Sequence, residues 1–213
     1  MKSLIINKST ITMITVDNML ARSILMVTCF ILFNHSAFGQ TKNEKETRIK
    51  LSSFPELAQE VIKNLPEKCR RLKYFLETDG SKRSFELKFK FNKKRYSLEF
   101  SEEGKIEDIE VVAQLRAINP LTKGKIESHL SQTYLKHKFI KIQKQFVYTT
   151  DFDRLNFVNN LLQNETNVLP NYEIIAEVKS NKGKDTREFT FNNKGEFLKY
   201  RILKPSSYEH VLY

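Results

Sequence analysis

Glycine is scarce: the 213-residue chain has six, and no two stand closer than Gly183 and Gly195. The G-x-G-x-x-G turn that brings backbone against a dinucleotide pyrophosphate cannot be written in it, nor can the G-x-x-x-x-G-K loop that cradles nucleoside phosphates. Nucleotide enzymes of those two kinds are excluded. Cysteine is scarcer still. Cys29 lies in an apolar N-terminal run and Cys69 stands alone beyond it, so that part of the chain has no internal disulfide and is held by packing. The patterns H-E-x-x-H and C-x-x-C do not occur, and His129 and His137, eight residues apart, lack a metal-ligand spacing. These absences give no catalytic, cofactor-binding or metal site from sequence.

Lys and Arg number 36 against 25 Asp and Glu, a net charge of +11, with 40% apolar and 29% charged residues. That is the composition of a folded protein with a charged surface. The N-terminus reads as an export signal over residues 1–39. Met19-Leu-Ala-Arg22 is its positive region, Ile24 to Phe33 its apolar core, and Ala37-Phe38-Gly39 puts small residues at −3 and −1 of a cleavage site before Gln40. Asp17 and the polar residues ahead of the core favour a true start at Met19. The apolar run falls short of the roughly 20 residues that span a bilayer, so no transmembrane anchor is expected and the product is periplasmic or secreted. Residues 40–50, nearly all polar, read as a flexible leader.

The chain compares well with itself. Leu98-Glu-Phe100-Ser-Glu-Glu-Gly104-Lys-Ile106 matches Phe189-Thr-Phe191-Asn-Asn-Lys-Gly195-Glu-Phe197 at an offset of 91, apolar on apolar and glycine on glycine. In the first copy, Ser53-Phe-Pro55-Glu56 signals a helix start, and Leu57, Ala58, Val61, Ile62 and Leu65 make an apolar stripe that Pro66 ends. Strands follow around Leu72 to Glu77, Ser84 to Phe91 and Tyr96 to Phe100, then a fourth in which the apolar phase slips between Ile106 and Ile109, the mark of a bulge. The second copy starts with a helix from about Leu121. An insertion follows, with a further helix at about 151–162, and then a meander through Tyr172, Thr186 and Glu196. The expected fold class is therefore α+β: two tandem helix-on-antiparallel-meander modules, a helix plus four strands each, over residues 52–116 and 120–213.

The Pro55-Glu56-Leu57…Val61-Ile62 helix start, the alternating meander and the Phe100-x-x-x-Gly104-x-Ile106 turn resemble the PepSY-like domains of exported Bacteroidota proteins. That family is itself described as similar to the β-lactamase inhibitory protein fold. The resemblance implies helix-on-sheet modules that act by binding or inhibiting proteins. It implies no catalytic residue, so the chain is not expected to be an enzyme.

Three side-chain groups bear on function. Arg71, Lys73, Lys88, Lys90 and Arg95 fall on or beside the sheet face opposite the helix and form a basic candidate binding face, interrupted by Glu77, Glu86 and Glu99. The run Glu102, Glu103, Glu107, Asp108 and Glu110 lacks the calcium-loop pattern and reads as a solvated turn and strand edge. Cys69, beside Arg70 and Arg71, is either a thiol activated by positive charge or a small apolar filler. The function expected is binding of an envelope or secreted protein, with inhibition of a peptidase as one form. Binding of an acidic cell-surface polysaccharide through the basic face is the alternative, and nucleic acid is not an expected partner.

Overall fold

A computed structural model of the chain describes residues 40–150 and 153–204. The export signal, its cleavage site, Met19, Cys29, Phe152 and His210 lie outside the described residues. In chain order the elements are β1 (Gln40–Lys42), β2 (Glu44–Arg48), a 3-10 turn (Leu51–Ser53), α1 (Glu56–Lys63), β3 (Arg70–Asp79), β4 (Lys82–Phe91), β5 (Lys94–Phe100) and β6 (Ile106–Val112). A second 3-10 turn (Leu115–Ala117) leads to α2 (Pro120–Thr133), β7 (Lys136–Val147), α3 (Arg154–Gln163), β8 (Asn171–Ser180), β9 (Gly183–Phe191) and β10 (Phe197–Leu203).

The ten strands form one sheet, in the order β1-β10-β9-β8-β7-β6-β5-β4-β3-β2. Every neighbouring pair is antiparallel except β1 and β10, which run parallel. The two strands at the ends of this order are consecutive in the chain, separated by Asn43 alone. The segment that pairs with β10 through Lys42↔Leu203 therefore goes on to pair with β3 through Glu44↔Asp79, and the sheet curls into a nearly closed barrel.

This overturns the expected pair of helix-on-meander modules. Three interactions join what the sequence suggests are separate units. A ladder from Asp108↔Val147 to Val112↔Gln143 fuses β6 to β7. Helix α3, from the insertion, packs Phe157, Val158, Leu161 and Leu162 into the same core as Ala58, Leu87, Phe89 and Leu98 of the first half. At roughly 1.5–3 kcal/mol for each fully buried large apolar side chain, this is a substantial tie. Thirdly, residues 40–48 are strands and not a flexible leader, because Lys42, Glu44 and Glu46 alternate with Thr41, Asn43 and Lys45 and turn toward charges inside the barrel.

The outer face of the sheet is apolar and is covered by the helices in two clusters. One gathers α1 and α3 over β3–β6, and the other gathers Ile126 and Leu130 of α2 over Ile142, Ile174, Phe189 and Phe191. Local chemistry explains the helix ends. Asn119 caps α2 by accepting from the Leu121 amide at 2.9 Å, and Asp153 caps α3 through the Leu155 and Asn156 amides at 3.0 Å. Ser53 is not the cap of α1; it closes the preceding 3-10 turn, and Pro55 takes the cap position.

Bulges bend the sheet at four strands: β3 near Arg71, β6 at Glu107, β7 at Ile140 and β10 at Leu198. Just ahead of those in β6 and β10, the turns at Gly104 and Gly195 carry the same pair of hydrogen bonds, Ser101–Lys105 with Gly104–Ser101, and Asn192–Glu196 with Gly195–Asn192. Both glycines have left-handed backbone, with φ of 80° and 78°, and each lies against the start of a helix. A Cβ on Gly195 would stand 2.5 Å from the Thr122 carbonyl oxygen, and one on Gly104 would stand 2.8 Å from Pro55 Cβ. Gly195→Ala is expected to destabilise the protein by about 2–4 kcal/mol, from the left-handed φ and the backbone clash together. Gly80→Ala, with φ of 63° and open space around it, should cost only about 1 kcal/mol. Urea denaturation of the two variants beside the wild type measures the difference.

Candidate functional site

Strand alternation that sends Leu87, Phe89 and Phe91 of β4 to the helices sends Ser84, Glu86, Lys88 and Lys90 the other way. The same division puts Ser97 and Glu99 of β5, Asp108 and Glu110 of β6, Glu173 of β8 and Glu188 of β9 on the inner face. There they line a polar trough of about 1130 Å³. Because the sheet curls, the inner carboxylates are screened from bulk solvent. Glu86 and Glu188 are only 4% and 3% exposed, and Asp108 and Glu110 8% each.

One ionic cluster closes the trough. Lys42 Nζ on β1 lies 2.7 Å from Glu188 Oε2 and 2.9 Å from Glu44 Oε2. Arg201 on β10 reaches Glu188 Oε1 at 2.5 Å and Asp79 Oδ2 of β3 at 3.2 Å, and so bridges the two ends of the strand order. Burial opposes the charge on Glu188, but Lys42 and Arg201 outweigh it and hold the carboxyl at about 2. Burial likewise opposes the charge on Lys42, and Glu188 with Glu44 raises its ammonium well above the ordinary value.

All five residues of the candidate basic face, Arg71, Lys73, Lys88, Lys90 and Arg95, line this trough. They do not behave alike. Lys88 is tied down, with Nζ 2.6 Å from Glu46 Oε1, 3.1 Å from Glu86 Oε2 and 5.1 Å over the Phe75 ring. Burial works against its charge, yet the two carboxylates raise its pKa. Arg71, Lys73 and Arg95 are exposed and Lys90 half-buried, and none of these four has an ion pair among the described residues. Arg71 sits at the β3 bulge with φ of 58°. The basic side chains thus make a rim, while the floor is acidic.

That floor corrects the reading of the acidic run as solvated. Glu102 and Glu103 are exposed at the turn, and Glu107 on the bulge pairs with Lys82 at 2.7 Å, but Asp108 and Glu110 are buried inside the barrel. Two sets of carboxylates have oxygens all within 4.8 Å of one another: Glu46 with Glu77 and Glu86, and Glu99 with Asp108 and Glu110. Either set offers oxygen ligands of the kind hard cations take. Burial first, then neighbouring carboxylates, pushes Glu77, Glu99 and Glu110 well above the ordinary value, and Asp108 up to about 7. Glu173 is raised for the same reasons, chiefly burial and Glu188. Glu86 runs the other way: burial opposes its charge, but Lys88 and the hydroxyl of Ser97, which donates to it, lower its pKa.

Asp108, Glu110, Glu173 and Glu188 carry no site motif in the sequence. Their only signal is strand phase, and a solvated face and a barrel interior produce the same phase. The remaining candidates lie outside the trough. His129 stacks on Phe197 at 4.5 Å, and His137 lies beside Phe139 at 5.3 Å. Cys69 is buried in the apolar core, where burial pushes its thiol up to about 11 although Arg70 opposes the shift. This is the filler reading of that residue.

No family model and no curated relative matches the chain. Among solved structures, a DUF2874 family protein from Bacteroides ovatus is similar at 11% identity and a TM-score of 0.47, covering 70% of this chain and 88% of its own. A Bacteroides eggerthii protein described as periplasmic follows at 10% identity and a TM-score of 0.46, with the same two coverages. A BLIP-like protein from Bacteroides fragilis stands at 9% and 0.44, covering 70% of this chain and 86% of its own. At this level the likenesses leave the reading of the trough to its own side chains. No helix of the described residues is long and apolar enough to cross a membrane.

Two outcomes follow from these environments. Cys69 should resist a thiol reagent at neutral pH in the native protein and react fully once it is unfolded in urea, a contrast that thiol titration reads directly. Glu188→Gln should destabilise the protein at neutral pH by about 3 kcal/mol, because it leaves Lys42 and Arg201 under-compensated. The folded value of Glu188, about 2, lies below its ordinary 4.5, so its contribution is complete above 4.5 and is lost as pH falls toward 2. The stability gap between variant and wild type should therefore narrow across that interval when urea unfolding is followed at a series of pH values.

Proposed function

We propose that this chain is an exported, non-enzymatic binding protein that engages another envelope or secreted protein through the mouth of the trough. One observation carries the reading. The rim sets four cationic side chains without ion pairs among the described residues, Arg71, Lys73, Lys90 and Arg95, beside two apolar side chains left open, Val112 at 40% exposed and Ile140 at 37%. Apolar anchors within a polar rim suit recognition of protein, and the charge suits a partner segment with acidic side chains. Inhibition of a peptidase is one form such binding would take. The periplasmic or secreted location rests on the signal-like segment 1–39, and the PepSY-like affiliation rests on the helix-start and turn motifs.

The alternative, an acidic polysaccharide held on the basic rim, is favoured by those same four side chains, but the acidic floor directly beneath them weakens it. Salt separates the two. Immobilised wild-type protein, challenged with envelope extract at about 50 mM and about 500 mM salt, should retain a single protein at both, since apolar contact survives screening. Val112→Asp should abolish that retention. Capture only at low salt, insensitive to Val112→Asp and lost in Lys90→Glu with Arg95→Glu, would transfer the function to the polysaccharide reading.

A further inference from the structure

Most of the inner carboxylates that the trough encloses have a cation of their own. Glu188 has Lys42 and Arg201, and Glu86 and Glu46 share Lys88. The set formed by Glu99, Asp108 and Glu110 has none. No ion pair among the described residues involves any of the three, although one oxygen from each lies within 4.8 Å of the others. Strand geometry makes this closeness unavoidable. Asp108 pairs directly with Glu99 across β5 and β6, and Glu110 lies two residues along β6 on the same face.

Hydrogen bonds account for part of the set. Asp108 Oδ2 accepts from Gln145 Nε2 at 2.9 Å, the same amide reaching Glu173 Oε1 at 3.2 Å, and Glu110 Oε2 accepts from Gln143 Nε2. These glutamines orient two of the carboxylates and leave other oxygens unsatisfied. Asp108 Oδ1, on a side chain only 8% exposed, has no hydrogen-bond partner. The Glu99 carboxylate has neither a hydrogen bond nor an ion pair among the described residues. A buried, unpartnered carboxylate oxygen beside two further carboxylates is a costly arrangement unless a positive charge completes it.

We propose that Glu99, Asp108 and Glu110 form a binding site for a hard divalent cation in the floor of the barrel, with Gln143 and Gln145 as the second layer that orients the ligands. The donors are all oxygen, which selects calcium or magnesium over zinc or copper. The trough has room for water to supply the remaining ligands such an ion takes. The neighbouring set of Glu46, Glu77 and Glu86 is not proposed as a site, because Lys88 already occupies the place of the cation.

The test uses the full chain, stripped with a chelator and titrated calorimetrically at pH 7.5 with calcium chloride, with magnesium chloride in parallel and thermal unfolding as a second readout. One divalent cation per chain is expected to bind, with a rise in Tm, and the parallel titrations show which of the two ions the site takes more tightly. Glu99→Gln removes a half-buried ligand without emptying any volume, and it should lower calcium affinity about tenfold or more. Asp108→Asn should do at least as much, and the double variant should abolish binding. Glu77→Gln, in the neighbouring set, should leave the affinity unchanged. Absence of both heat and Tm shift with either cation at about 10 mM, or an affinity that survives in the double variant, would overturn the proposal. So would equal sensitivity to Glu77→Gln. If Asp108→Asn does not fold, Glu99→Gln alone decides, since it removes a negative charge from a like-charged cluster.

Discussion

The Lys42–Glu188–Arg201 cluster, reaching Asp79 of β3 through Arg201, holds together strands that would otherwise be the free edges of the sheet, and the character of the molecule follows from that junction. An open sheet with this sequence would have one apolar face under helices and one polar face in water. Closure by residues 40–48 encloses the polar face, so that side chains with the alternation of an ordinary surface become an interior. Every charge on it then needs compensation, because the enclosed space no longer offers bulk solvent. The ion pairs at the junction meet that need where the two ends of the strand order come together.

Compensation is uneven across the trough, and the unevenness is informative. Toward the junction Glu44, Asp79 and Glu188 each have a lysine or an arginine. On β5 and β6, Glu99, Asp108 and Glu110 have amides or nothing among the described residues, and burial together with like charge raises Asp108 to about 7. At the rim the imbalance has the opposite sign, with Arg71, Lys73, Lys90 and Arg95 lacking acidic partners among the described residues. A structural barrel has no need of either excess. Uncompensated positive charge at the mouth and uncompensated negative charge in the floor are both features that a ligand would satisfy, the first from outside and the second from within.

The bends that make closure possible are written locally. The phase slip between Ile106 and Ile109 is the Glu107 bulge, and a bulge at Leu198 stands at the same offset of 91 as the matched turns. Gly104 and Gly195 are legible as turn residues, but their further constraint is not. Each is pressed against the first turn of a helix, which couples the sheet to α1 or α2, and no spacing in the sequence reports that contact.

What the amino-acid sequence determined by itself was local: strands by alternation, helix faces by periodicity, turns at glycine, a bulge by a phase slip, and the side of the sheet on which the five basic residues fall. Those properties depend on neighbours a few residues away. The tertiary structure decided whether the polar face met water or a barrel interior, that a polar leader would become two strands, that α3 would pack on the first half of the chain, and that Lys88 would be paired while Lys90 has no ion pair among the described residues. Each of these depends on partners far away in the chain, such as Lys42 with Glu188 or Glu46 with Lys88. Alternation has the same period whichever medium lies beyond the side chain, so one pattern served two architectures and only closure distinguished them.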